Sequence, residues 1–291
     1  MAWQFKYRCN WSLPRAWLGN VFGCSAPGGS GEETSGLAFS IKQLARIMLQ
    51  ILIISTFLSL FMAMFLIHFS HLHERFTSDH DLGGVQKFHA MPVPRVGGVP
   101  LAAGLLAGCG VLSWSLSDAT ALLLLLVSVP AFAAGLMEDM TKQVGPLPRL
   151  LATFVSAGLG YFSLQAGLHR LDIPVIDSLL VNFTLFSFVL TVIAVGGVAH
   201  AVNIIDGYNG LSGVVAVFIF LAMAYVAFKV QDTMLLGVCF AMIGAIAGFL
   251  FWNFPRGLIF AGDGGAYLVG FMIAEVAVPL VTRHPQVSPW F

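Results

Sequence analysis

Charge is what this sequence has least of. Only 10% of its 291 residues are Asp, Glu, Lys or Arg, against 58% hydrophobic. A soluble globular domain carries about 25% charged residues, so an ordinary soluble fold is excluded. The 14 Lys and Arg balance 14 Asp and Glu, and no basic run points to nucleic acid. Four cysteines, Cys9, Cys24, Cys109 and Cys239, form no CxxC pair, which argues against both a disulfide framework and a zinc site. No His pair has HExxH spacing. The first thirty residues hold no apolar core of a signal peptide, so none is expected. Internal repeats are missing too, as are the alternating segments of about 10 residues that build a membrane barrel.

What is present is apolar and long. Eight stretches, 47–67, 97–117, 119–137, 150–168, 178–202, 211–228, 233–252 and 264–281, approach the ~20 residues a helix needs to cross a bilayer. Backbone groups in lipid must be satisfied within the segment, so these are helices. The expected fold is all-α, a polytopic transmembrane bundle of about eight spans. Residues 1–45, with the polar stretch "APGGSGEETSG" (26–36), are expected to form a poorly ordered extension, and 46–291 the transmembrane domain.

Loops after spans 1, 3, 5 and 7 share one side of the membrane. They carry Arg75, Lys87, Arg95, Lys142, Arg149 and Arg256, whereas the other side has Arg170, Lys229 and Arg283. The excess of positive charge places the odd-numbered loops in the cytoplasm. Lys6, Arg8, Arg15, Lys42 and Arg46 in the N-terminal tail pull the other way.

Every unusual polar cluster falls on those odd-numbered loops. They are "QKFHAMPVPRVGG" (86–98), "GLMEDMTK" (135–142), "AVNIIDGYNGLSG" (201–213) and "WNFPRGLIFAGDGGAYL" (252–268). Glu138, Asp139, Asp206 and Asp263 thus gather at helix ends on one face. Acids so placed can hold a hard divalent cation, and magnesium uses one or two carboxylates plus substrate phosphates. Glycine-rich turns opening a helix, "DGYNG" and "GDGGA", let phosphate approach backbone N–H groups, with Asn209 and Gly264 at the contact. Lys87 and Arg95 can neutralise a diphosphate. Together these groups suggest metal-assisted phosphoryl chemistry. Taken singly, each has a plainer reading: Asp206-Gly207 as a turn, Asp263 as a helix cap, Lys87 and Arg95 as topology determinants. Glu275 lies at mid-span, where a hydrogen-bonded structural role is expected, and His200 is expected to pack in the core.

Four segments in this order resemble the polyprenyl-phosphate N-acetylhexosamine-1-phosphate transferases, glycosyl transferase family 4. They are "KFHAMPVPRVGG", "AGLMEDMTK", "NIIDGYNGLSG" and "NFPRGLIFAGDGGAYLVGF". The resemblance implies attack of a polyprenyl phosphate, usually undecaprenyl phosphate, on the β-phosphorus of a UDP-N-acetyl sugar with Mg²⁺ or Mn²⁺, releasing UMP. It implies a bacterial inner membrane enzyme of cell-wall or O-antigen synthesis working at the cytoplasmic face. Asp263 matches the family's metal-binding aspartate and Asn203 a second metal-site position. Glu138 and Asp139 stand where the family has paired aspartates, and with Asp206 they are the expected catalytic acids. Lys87 and His89 lie in the phosphate-approaching first-loop motif, and Arg95, Asn209, Asn253 and Gly264 complete the expected substrate contacts.

The chain departs from the family in its Glu-Asp pair and in ending at "VSPWF" (287–291), where members continue through further helices. A C-terminally short bundle is therefore expected, and a truncated, inactive homologue is one alternative. A transporter or flippase is another, although its polar groups would sit near the bilayer midplane. An intramembrane aspartyl protease would need two aspartates facing each other inside helices. Oligomeric state, sugar identity and lipid length are not legible.

Overall fold

A computed structural model describes residues 31–70 and 93–290, with side chains within 42–70 and 93–290. The chain divides into two units, Met1–Arg46 and Ile47–Phe291, and the second carries everything below. The described residues form nine helices: α1 (Gly31–His68), α2 (Gly98–Leu116), α3 (Thr120–Thr141), α4 (Pro146–Ser163), α5 (Pro174–Asn182), α6 (Thr184–Ile205), α7 (Leu211–Lys229), α8 (Thr233–Asn253) and α9 (Gly262–Arg283).

Seven of them are long and apolar enough to cross a membrane, and they make this a multi-pass membrane protein. The fourth expected stretch, 150–168, falls mostly in α4, which is not among these seven. α4 has the length, 18 residues, but it opens with Pro146, Pro148 and Arg149, and these hold it below the apolarity of the others. The stretch read as a span over 178–202 is also two helices. The chain turns extended at Phe183 (φ −122°, ψ 94°), between Asn182 and Thr184, and the long helix starts only at Thr184.

At the centre stands α9, buried along nearly its whole length and packed against α2, α3, α4, α6, α7 and α8. Small residues allow these close crossings, as membrane helices require where apolar surface alone gives no driving force between them. A Cβ at Gly270 would lie 2.7 Å from Ala199 Cα, and one at Gly104 2.7 Å from the Ser55 carbonyl of α1. Side-chain donors tie α1 to α8: the Ser59 hydroxyl donates to Ala245 O (2.7 Å) and the Trp252 indole N–H to Leu60 O (3.0 Å). The bundle has two polar ends. At one, His284 Nε2 meets Asp232 Oδ2 at 3.0 Å and Arg170 Nη1 donates to Pro285 O at 2.7 Å. The other end holds the residues singled out by sequence.

Candidate active site

The site is assembled around the start of α9. Residues before α2 pair with those before α9: Phe260 N–H donates to Pro94 O (3.0 Å), and Gly97 and Gly98 N–H donate to Phe260 O and Ala261 O (2.8 and 2.9 Å). Entry into α9 runs through Gly262 at φ +70°, a left-handed conformation that glycine adopts without strain. Buried Asn253 ties in α7, accepting Gly210 N–H at 2.6 Å and donating to Ile259 O at 2.8 Å. Its amide is thus taken up by backbone. Asn209 lies beside it, with Nδ2 3.5 Å from Pro255 O.

Between these elements lies a cavity of about 250 Å³, lined by Arg95, Glu138, Asp139, Lys142, Arg149 and Asp263. The end of α3 supplies the two acids, the turn after it Lys142, the first turn of α4 Arg149, and the first turn of α9 Asp263. Asp263 Oδ1 accepts Asn203 Nδ2 from α6 at 3.0 Å, and Oδ2 forms an ion pair with Arg149. Glu138 Oε2 accepts Val144 N–H at 2.7 Å. Asp139 is 4% exposed and takes the N–H groups of Asp263 and Gly264, both at 2.8 Å. Three carboxylates and three cationic side chains therefore line one cavity. Such a space suits an anionic ligand: guanidinium and ammonium groups match phosphoryl oxygens, and the acids can take a proton or a metal.

The expected residues are not all brought together. Asp206 follows the last residue of α6 at the same end of the bundle, but it does not line the cavity. Its carboxylate accepts the Ser212 hydroxyl. Burial pushes its pKa above the ordinary carboxylate range, and neither the Ser212 hydrogen bond nor the nearby Arg95 charge fully offsets that. Lys87 and His89 lie outside the described residues. Sequence alone marks Arg149 only as a loop charge. Its partner Asp263 is far along the chain, so no local pattern marks it. His200 bridges Thr153 and Tyr267 (3.5 and 3.4 Å). Glu275 corrects its expectation: it is 0% exposed, yet neither carboxyl oxygen has a hydrogen-bond partner among the described residues. It occupies the notch left by Gly160 of α4, where a Cβ would come within 2.5 Å of Oε1.

Although three acids line the cavity, no three His, Cys, Asp or Glu side chains among the described residues are placed to hold one metal ion by themselves. The magnesium habit of one or two carboxylates completed by water and substrate phosphate does fit. Asp263 already draws a guanidinium to one oxygen and an amide to the other, so this carboxylate sits where positive charge is favoured. Turned over, the Asn203 amide would offer oxygen in place of nitrogen.

The sequence matches the family described as Glycosyl transferase family 4 over residues 121–281, more than half of the chain. The chain belongs to glycosyl transferase family 4. The matched region of this family member contains all but the first residue of α3, all of α4 to α8 and nearly all of α9, hence every cavity residue except Arg95. Among curated proteins it is similar to one from Bacillus subtilis (strain 168) named "Probable undecaprenyl-phosphate N-acetylglucosaminyl 1-phosphate transferase", 28% identical over 198 residues. That alignment covers 66% of this chain and 53% of the relative. The chain thus spans about half the length of the curated relative it matches.

Proposed function

We propose that the protein transfers a sugar-1-phosphate from a UDP-N-acetylhexosamine to a polyprenyl phosphate at the cytoplasmic face of a bacterial inner membrane. The observation that carries this reading is the cavity of Arg95, Lys142 and Arg149 facing Glu138, Asp139 and Asp263. The family and the printed name of the B. subtilis relative supply the reaction class.

A phosphate oxygen of the lipid forms a new bond to the β-phosphorus, the bond between that phosphorus and the bridging oxygen breaks, and UMP leaves with the bridging oxygen. Arg95, Lys142 and Arg149 bind the diphosphate and neutralise its charge. Glu138 holds the proton of the attacking phosphate, and Asp206 orients the 201–213 turn against the substrate. Asp263 with Asn203 would hold Mg²⁺ or Mn²⁺, which when bound supplies Lewis-acid stabilisation of the charge developing on the phosphoryl oxygens. Most of the acceleration then comes from positioning and charge neutralisation.

The test is release of UMP from UDP-N-acetylglucosamine by the purified protein with undecaprenyl phosphate and Mg²⁺. Asp263→Asn and Asp206→Asn are each expected to reduce turnover by about 10²–10³-fold, while membrane insertion is unchanged. Near-normal turnover in both would remove the site, and transport of the sugar nucleotide without UMP release would make the protein a carrier.

A further inference from the structure

The neighbouring acids Glu138 and Asp139 do different things. Glu138 is part-exposed in the cavity and engages the turn that follows its own helix. Asp139 is buried, and both its oxygens are spent on another helix. Oδ1 accepts the N–H of Asp263 and Oδ2 the N–H of Gly264, each at 2.8 Å. These amides belong to the first turn of α9, where a helix has no internal acceptors for its N–H groups. A capping side chain usually comes from the residue just before the helix. Here that residue is Ala261, and α9 has no side-chain cap of its own. Asp139 supplies the missing oxygens from across the bundle, and its charge suits a helix N-terminus.

The surrounding backbone is shaped to this contact. A Cβ on Gly262 would lie 2.6 Å from Asp139 Cγ. One turn earlier in α3, a Cβ on Gly135 would lie 2.6 Å from both the carbonyl carbon of Asp263 and the nitrogen of Gly264. α3 and α9 therefore touch backbone to backbone beside the clamp. The amide that Asp139 holds is that of Asp263 itself, so the clamp fixes the Cα from which the Asp263 carboxylate enters the cavity.

We propose that Asp139 is a positioning residue: it caps α9 in trans and sets the Asp263 carboxylate, without itself touching the reacting groups. The link to turnover rests on the transferase reading above, whereas the cap itself does not.

Hydrogen exchange by mass spectrometry on the whole protein in detergent, run beside the UMP-release assay, separates the two. In the unaltered protein, the 263 and 264 amides should exchange more slowly than the first-turn amides of α7, which also has no side-chain cap. Asp139→Asn turns an N–H toward an N–H and should speed exchange over 262–265 by about tenfold, the worth of one hydrogen bond, with kcat falling and KM for the sugar nucleotide little changed. Glu138→Gln should reduce turnover and leave that exchange as it was. Loss of turnover in Asp139→Asn with unchanged exchange at 262–265 overturns the proposal. So does fast exchange of the 263 and 264 amides in the unaltered protein, a measurement that stands even if the variant does not fold. Absence of UMP release from the unaltered protein would instead refute the transferase reading and leave the cap to be decided by exchange alone.

Discussion

At the scale of single residues, Asp206 shows how burial and hydrogen bonding compete over one carboxyl. Burial raises its pKa by disfavouring the charged form, while the Ser212 hydroxyl and the Arg95 charge favour that form and lose. The fold therefore keeps a proton that the unfolded chain releases. Asp206 favours the fold at low pH, and this contribution is lost as pH rises through its raised value. If the reaction uses the carboxylate, the acid limb of kcat/KM lies above the ordinary carboxylate range. Ser212→Ala removes a donor that stabilises the charge, so the limb should move further up, by about one pH unit for one charge-assisted hydrogen bond. A pH profile of UMP release measures this. A limb that stays in place in Ser212→Ala assigns the titration to another group.

At the scale of elements, the α3–α9 crossing is the most tightly built part of the site. Gly135 faces the backbone of Asp263 and Gly264 rather than a movable side chain. Gly135→Ala should therefore force the helices apart and cost about 1–3 kcal/mol, as overpacking does, with loss of turnover because Asp139 moves with α3. Gly197→Ala in α6 meets no atom within 4 Å and should not lower the unfolding temperature, since alanine is the better helix former. Equal unfolding temperatures for the two variants would mean that the crossing is looser than its geometry. Helix placement was largely legible in the sequence, because apolar length marks a span directly. The break at Phe183 was not, since one Asn and one Thr beside a Phe are common inside a membrane helix and only the backbone conformation there marks the turn. The acids of the cavity were legible through their glycine-flanked settings at helix ends. Arg149 was not, because its role depends on α4 being carried back beside α9, and sequence distance hides that contact. Glu275 was visible as an oddity, but its missing partner depends on which small residue α4 places opposite it.

At the scale of the molecule, one face of the membrane should own the site. α4 falls short of the apolarity of a span, yet its two ends show that it traverses the bundle. Its first turn places Arg149 against Asp263 at the start of α9, and the segment after it places Arg170 against Pro285 just past the end of α9. α9 has 22 residues and is about 33 Å long at 1.5 Å per residue, so α4 and its continuation cross the same depth. The alternation of helix direction is then unbroken from α2 to α9. Arg95, Lys142, Arg149 and Arg256 fall at the site end, and Arg170, Lys229 and Arg283 at the other. The proposed function places the site end in the cytoplasm, the side that the positive-inside tendency favours for these loops, although Lys42 and Arg46 of the N-terminal tail pull the other way. Cysteines placed at Gln143 and Arg256, both exposed at the site end, with Cys9 and Cys24 replaced, should resist a membrane-impermeant maleimide in intact cells and react in inverted vesicles. A cysteine at Lys229, exposed at the opposite end, should do the reverse. Labelling of positions 143 and 256 from outside intact cells would invert the protein. The UDP-sugar donor would then be on the wrong side of the membrane, and the proposed reaction could not be its function.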